Sequence, residues 1–302
     1  MIVTYRTEPL NYNVVTKNII NGLKNYCNKY GIKNLVLGIS GGIDSTVVAA
    51  LTKLAGINLI GISMPCTTNE ECENESARLV GEEFCSEFKV VNLQSTFEVM
   101  EKFCTDASGR QSTPISQGNI KARLRMTTVY DIASKVGGIA LDTDNLTEHF
   151  LGFFTLHGDT CDLTPIGGLW KHEVYELAKY LKENHFKDSK ALEASIALIP
   201  TDGNGVKAGG DLAQIAPGKT YDDVDEILHA WVGLVDRIKA EVIEKNFDYG
   251  VFKALCEKHG KETVEAVVMR SARSEFKRKH MPFVIDIFNG NTLDGEGNIF
   301  VS

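Results

Sequence analysis

The chain of 302 residues is 43% hydrophobic, 24% charged and carries a formal charge of −8, enough apolar material for one large α/β core or a core with a small helical appendage. The negative balance argues against a nucleic-acid surface, since phosphate backbones attract basic stripes. No apolar run of about eighteen residues occurs and Met1 to Arg6 lacks a signal-peptide core, so we expect a cytoplasmic protein with no membrane segment. Seven cysteines, odd in number and without a Cys-x-x-Cys pair, read as reduced thiols and suggest neither a disulfide framework nor a zinc site.

In chain order, Tyr12 to Tyr30 predicts an amphipathic helix with Val15, Ile19, Leu23 and Tyr26 close to one face. Leu35 to Leu37 fits a buried strand, which breaks into Gly38-Ile39-Ser40-Gly41-Gly42-Ile43-Asp44-Ser45 before helical spacing resumes at Thr46 to Leu51. Next come a strand at Ile57 to Ser63, a carboxylate-rich helix at Cys72 to Glu87, a strand at Phe88 to Leu93 and a helix at Gln94 to Thr105. Asp106 to Gly118 reads as a loop, Asn119 to Lys135 as a helix and Gly138 to Leu141 as a fourth strand. This alternation predicts an α/β fold with a doubly wound parallel sheet and flanking helices, in which ligands bind beyond the carboxyl ends of the strands. The loop after the first strand and the Asp142 segment after the fourth both fall there. From Lys182 the pattern is mostly helical, interrupted by the glycine-rich stretch Pro200 to Pro217, whose length usually signals function or disorder. Asp286 to Ser302 suggests a short hairpin or a dimer arm. We treat residues 1–302 as one domain, with 199–220 as a flexible active-site loop and 280–302 as a C-terminal tail.

The segment from Gly38 to Ser45 has the composition of an anion cradle. Gly41 and Gly42 open conformations closed to other residues, so that successive N–H groups can face one concavity, and Ser40 and Ser45 add hydroxyls. The following helix start favours phosphate. Asp44 beside phosphates would repel them unless a divalent cation lies between, which makes it a candidate magnesium ligand. The complete Ser-Gly-Gly-x-Asp-Ser pattern after a strand resembles the pyrophosphate loop of the ATP pyrophosphatase superfamily, whose members split ATP between the α and β phosphates. The competing match, Ala213 to Thr220, satisfies a relaxed Walker pattern. No strand precedes it, Pro217 removes a donor, and Asp222, Asp223, Asp225 and Glu226 crowd the next helix start, so we read Thr220 as an N-cap.

A second set of motifs makes the resemblance specific. Gly118 to Met126 (Gly-Asn-Ile-Lys-Ala-Arg-Leu-Arg-Met), Asp142 to Glu148 (Asp-Thr-Asp-Asn-Leu-Thr-Glu), Gly152 to Thr155, Gly158-Asp159 and Asp162 to Pro165 resemble ammonia-dependent NAD synthetase, over roughly residues 20 to 280. The resemblance implies an adenine-nucleotide alpha hydrolase-like fold and a ligase that adenylates deamido-NAD with ATP and magnesium, after which ammonia displaces AMP. It further implies ATP contacts from Gly38 to Ser45, Thr143, Lys171 and Thr201, magnesium ligation by Asp44 and Glu148, and dinucleotide contacts from Arg123, Asp162 and Lys277. Read from the residues alone, Lys121 with Arg125, and Asn119 with Arg123, sit four apart on a helix and can present donors on one side, although basic helix residues are usually solvated. An exposed helix carboxylate is the plain alternative for Glu148, and a cap or turn residue for Asp162. Asp144, beside Thr143, is placed where a carboxylate binds ammonium or takes its proton.

Departures from the family pattern concentrate on the acceptor side. Leu156 stands where better-known bacterial members have a lysine, Thr160-Cys161 replaces a Gly-Gly pair, and Phe276 replaces the histidine before Lys277. Pro200 to Pro217 also differs in its glycines. With no added glutaminase region, free ammonia is the expected nitrogen donor, and the resemblance implies a homodimer. The alternatives are a tRNA-modifying superfamily relative, which should be basic and carry paired cysteines, and a non-catalytic ATP-binding protein, against which Asp44 and Glu148 speak together.

Overall fold

The computed structural model describes residues 9–66, 71–159, 161–198, 210–239, 249–278, 284–285 and 292–293. Helix α1 (Tyr12–Tyr30) leads into strand β1 (Asn34–Gly38), followed by α2 (Ile43–Ala55), β2 (Asn58–Ser63), α3 (Glu71–Phe84), β3 (Glu87–Val90), α4 (Gln94–Ser108), α5 (Pro114–Lys135) and β4 (Ile139–Leu141). The four strands are parallel in the order β3-β2-β1-β4, with Leu35 opposite Leu59 on one side and Ile139 on the other. Leu35, Val36 and Leu37 have no exposed surface, as expected for a strand covered on both faces. Each contributes roughly 1.5–3 kcal/mol by burial.

Helices α1, α2 and α3 pack on one face, together with α7 (Lys171–Asn184) and α8 (Lys190–Ala197), in a core that includes Leu23, Val47, Leu51, Phe84 and Leu177. Helix α5 covers the other face through Val129 and Ala133. Short α6 (Leu146–Leu151) joins α9 (Gly210–Ile215), α10 (Tyr221–Lys239), α11 (Tyr249–His259) and α12 (Lys261–Arg273) around a second core that includes Leu151, Trp170, Ile227 and Val264. Helix α13 (Glu275–Arg278) follows, and β5 (Val284–Ile285) pairs antiparallel with β6 (Thr292–Leu293), while the rest of 286–302, the stretch expected as a hairpin or dimer arm, lies outside the described residues.

Several expected boundaries move, each for a local reason. Helix α3 ends at Phe84 and β3 starts at Glu87, because β3 is an edge strand with Glu87, Lys89 and Val90 exposed rather than a buried apolar run. Residues 114–118, expected in a loop, begin α5 instead: Thr113 and Ser116 form a capping box and Pro114 takes the first helical position, where its missing N–H costs nothing. Within the glycine-rich stretch, 199–209 lie outside the described residues, whereas α9 is helical, with Leu212 and Ala216 buried in the second core. Among the described residues no helix is long and apolar enough to cross a membrane, and no disulfide joins any of the seven cysteines.

Candidate functional site

Strand order decides where a site can form. The chain leaves β1 toward β2 on one side, and β4 later pairs on the other, so the carboxyl ends of β1 and β4 flank a topological switch point. The two informative sequence segments, 38–45 and 142–148, leave these two strand ends.

On the β1 side, Gly41 adopts φ 83°, a left-handed conformation, and its carbonyl accepts from Ser76 Oγ at 2.7 Å. A Cβ at Gly41 would lie 2.5 Å from the Glu73 carbonyl oxygen and 2.6 Å from the Ala77 nitrogen, so the absent side chain also lets α3 approach. Gly42, expected to share that conformational role, sits instead at φ −71° and ψ 165° as the N-cap of α2, an extended geometry open to any residue. Ser40 Oγ accepts from Gly42 N–H at 3.2 Å and lies 3.2 Å from Ser45 Oγ, while Thr46 Oγ1 donates to the Gly42 carbonyl at 2.8 Å. Helix geometry leaves the amides of Ile43, Asp44 and Ser45 without an acceptor one turn back, the usual basis of anion binding at a helix start.

On the β4 side, Asn145 and Glu148 form the capping box of α6, with Asn145 Oδ1 accepting from Glu148 N–H at 3.1 Å. Asn145 Nδ2 also donates to Asp44 Oδ1 at 2.9 Å, joining the two strand ends. Lys171, the first residue of α7, completes the arrangement: its Nζ donates to Asp44 Oδ2 and, at 3.0 Å, to Glu148 Oε1. The Lys171 side chain is only 6% exposed. Burial opposes the charged amine, but Asp44 and Glu148 outweigh it and hold Lys171 well above the ordinary lysine value. For Glu148, burial and the Asp44 charge exceed the pull of Lys171 and raise its carboxyl to about 7.

Asp142, Asp144 and Asp159 gather nearby. Asp142 accepts from Asp144 N–H at 2.9 Å, Thr164 Oγ1 at 3.0 Å and Cys161 N–H at 3.4 Å. Burial, then the charges of Asp142, Glu148, Asp159 and Asp44, push Asp144 well above the usual carboxylate range.

The remaining expected residues fall around this centre. Thr143 lies between Asp142 and Asp144 at the end of β4. Arg123, exposed on α5, donates to the Leu156 carbonyl at 3.2 Å, so the 118–126 and 152–159 motifs meet; Thr155 Oγ1 and Asn119 Oδ1 are 3.0 Å apart at the same junction. Lys121 is buried with its Nζ over the Phe97 ring and Arg125 donates to the Met64 carbonyl, so the donors expected together on one side of the helix have separate partners. Asp162 accepts from Tyr130 Oη and Ala140 N–H, both at 3.0 Å, which ties its segment to β4. Lys277 donates to the carbonyls of Gly152 and Phe154. Thr201 lies outside the described residues.

Sequence reasoning passed over Asn145, Thr147, Tyr221 and Asp225. The Asn-x-x-Glu spacing of a capping box was the available signal for Asn145. Asp225 was read only as charge at a helix start. Among the described residues no group of three or more His, Cys, Asp or Glu is arranged to hold a metal ion by itself. Asp44 and Glu148 nevertheless converge on one cationic nitrogen, which is the geometry two carboxylates need to share a cation whose other ligands are phosphate and water oxygens.

A parallel sheet with a glycine loop and a helix start at its switch point defines the class: an α/β protein of the adenine-nucleotide alpha hydrolase-like fold. The NAD synthase family matches residues 15–281. The chain is 35% identical over 235 residues to the NH(3)-dependent NAD(+) synthetase of Carboxydothermus hydrogenoformans, covering 76% of this chain and 92% of that one. It is 30% identical over 281 residues to the protein of that name from Fusobacterium nucleatum, covering 92% and 97%. Among solved structures, NMN synthetase from Francisella tularensis superposes with a TM-score of 0.71 at 25% identity, covering 91% of this chain and 98% of that one. The NH3-dependent NAD synthetase from Campylobacter jejuni gives 0.59 at 25% identity, covering 85% and 96%. This chain belongs to the NAD synthase family, a family of ligases.

Proposed function

We propose that the chain converts deamido-NAD to NAD with ATP and free ammonia. The observation that carries this is the Lys171 ammonium, held by Asp44 and Glu148 where the glycine loop and the β4 segment meet. A carboxylate oxygen of the acceptor attacks the α phosphorus of ATP as the α–β bridging bond breaks and pyrophosphate leaves. Ammonia then attacks the acyl carbon, the bond to AMP breaks, and the surplus proton passes to a base. Gly38 to Ser45, Thr143, Lys171 and Thr201 bind and orient ATP. Lys171 offers fixed positive charge to the departing pyrophosphate, where preorganised electrostatics count most. Asp44 and Glu148 would hold magnesium, whose contribution when bound is to neutralise phosphate charge. Arg123, Asp162 and Lys277 would contact the acceptor, and Asp144, whose carboxyl is raised by burial and by the neighbouring carboxylates, is the group placed to bind ammonium or take its proton.

The protein acts as a homodimer in the cytoplasm. Val99, Phe103 and Ile115, exposed at 71%, 69% and 79%, lie on the adjoining α4 and α5, an apolar surface suited to a second copy.

A second acceptor has specific support. Leu156 and Phe276 remove polar contacts expected for a dinucleotide, and the Francisella tularensis neighbour is an NMN synthetase, so nicotinate mononucleotide is the alternative acid for the same chemistry. The test is product formation from ATP, magnesium and ammonium chloride with each acid in parallel, beside Asp44→Ala. NAD and AMP in equal amounts, lost in the variant, establish the synthetase; product from the mononucleotide alone shifts the acceptor; absence of both products refutes the proposal.

A further inference from the structure

Lys171 occupies the first position of α7, and the residue before it, Trp170, supplies no side-chain cap to the helix amides. Trp170 N–H donates to Glu173 within α7, and the first two helical amides are satisfied by other helices. The Lys171 N–H donates to Thr147 Oγ1 of α6 at 2.8 Å, and the His172 N–H donates to Asp225 Oδ2 of α10 at 2.9 Å. Thr147 Oγ1 in turn donates to Asp225 Oδ1, and His172 Nδ1 lies 2.9 Å from Asp225 Oδ2. The Asp225 side chain has no exposed surface.

Hydrogen-bond direction gives this arrangement its sense. A threonine hydroxyl has one proton and can accept through its lone pairs. With that proton committed to Asp225, Thr147 Oγ1 presents a lone pair to Lys171 N–H. A carboxylate, which only accepts, can serve Thr147 and both donors of His172 together. Its charge also suits a helix start, whose dipole favours an anion. One turn earlier on α10, Tyr221 places its ring 5.5 Å from Lys171 Nζ. Helix α10 therefore meets Lys171 at both ends, through the backbone relay and at the ammonium.

We infer that Asp225 is the positioning residue for Lys171: it caps α7 from α10 and, through Thr147, sets the lysine between Asp44 and Glu148. This rests on the proposal that Lys171 serves the phosphates of ATP, and extends it to a buried carboxylate on a helix that touches no phosphate-loop residue in the contacts described above.

Asp225→Asn preserves size but offers one carbonyl oxygen, so the Thr147 and His172 donors cannot both be served as before. Measured on protein shown to be folded by circular dichroism, kcat for pyrophosphate exchange should fall about 100-fold, the scale of loss for a misplaced catalytic group. The KM for the acceptor should stay unchanged, a split that general loss of folded protein would not produce. Thr147→Val removes the relaying hydroxyl and should reproduce the effect, which covers an Asp225→Asn protein that fails to fold. Crystal structures of the variants give a readout without turnover: Lys171 Nζ should leave hydrogen-bond distance of at least one of Asp44 and Glu148. An unmoved Lys171 overturns the inference whatever the rate does. So does a displaced Lys171 with unchanged kcat. A wild-type protein that makes no product instead refutes the proposed function, and the crystallographic comparison still decides the role of Asp225.

Discussion

Gly41→Ala tests the join between the phosphate loop and the core. At φ 83° an alanine carries a backbone penalty of about 1–2 kcal/mol. Its Cβ would also stand 2.5 Å from Glu73 O and 2.6 Å from Ala77 N, well inside the 3.4 Å at which ordinary contact begins. Both atoms are α3 backbone, so no side-chain rotation relieves the clash, and α3 must retreat by roughly 0.9 Å at the cost of overpacking, about 1–3 kcal/mol. The total, roughly 2–5 kcal/mol, corresponds to a fall in Tm of about 4–10 °C at roughly 2 °C per kcal/mol for a chain of this size. The Ser76 bond to the Gly41 carbonyl stretches with the same movement, so ATP-dependent pyrophosphate exchange should weaken as well. Differential scanning calorimetry and the exchange assay check this, with Gly22→Ala as a contrast. That glycine has no atom within 4 Å of its would-be Cβ and lies inside α1, so alanine should stabilise by about 0.5–1 kcal/mol. A Gly41→Ala protein that melts within about 1 °C of wild type would refute the steric reasoning.

Other outcomes follow from the same geometry. Lys171→Met removes the charge shared by Asp44 and Glu148, and the exchange rate should fall about 10²–10³-fold, as for loss of one preorganised electrostatic contact; a rate within about tenfold of wild type contradicts the role given to Lys171. Burial, then Asp142, pushes the Cys161 thiol up to about 12, so iodoacetamide at about pH 8 should label exposed Cys72 and Cys104 and spare Cys161. Equal labelling by peptide mass mapping counts against this. Burial pulls the His172 imidazole down, but its bond to Asp225 and that charge outweigh it, so the net shift is upward. Its stabilising contribution is therefore complete below about pH 6.5 and is lost as pH rises through the higher folded value. The Tm gap between wild type and His172→Ala should accordingly narrow from about pH 6 to pH 9, and a constant gap would exclude the ion pair as its source.

How far each feature was legible depended on the range of the interaction behind it. The first helix was readable to both ends, because its apolar spacing and the Gly31 after it are local signals. The buried strands β1 and β4 were legible because parallel strands covered on both faces read as apolar runs. Edge strand β3 was misplaced for the complementary reason: three of its four side chains meet water, and only pairing with β2 marks where it begins. The start of α5 was hidden in a stretch whose composition reads as loop, although Thr113, Pro114 and Ser116 are also the residues of a helix start.

The candidate centre divides in the same way. Local chemistry in the sequence singled out the glycine loop and Asp44, whereas Glu148 and Lys171 were implied only by the resemblance to the family. Tertiary structure decided that Lys171, 127 residues beyond Asp44, bridges both carboxylates. It also decided that of two adjacent glycines only Gly41 needs a left-handed backbone, because its carbonyl and missing Cβ face α3. The largest gap was Asp225. In the sequence it is one of four acidic residues at a helix start, and local rules assign all four to solvent and the helix dipole. In the fold its neighbours Asp222 and Asp223 remain at the surface end of α10, while packing of α10 against α6 and α7 buries Asp225 and supplies its hydrogen-bond donors. A motif carries the chemistry of groups adjacent in the chain; which distant group meets which is set by strand order and helix packing.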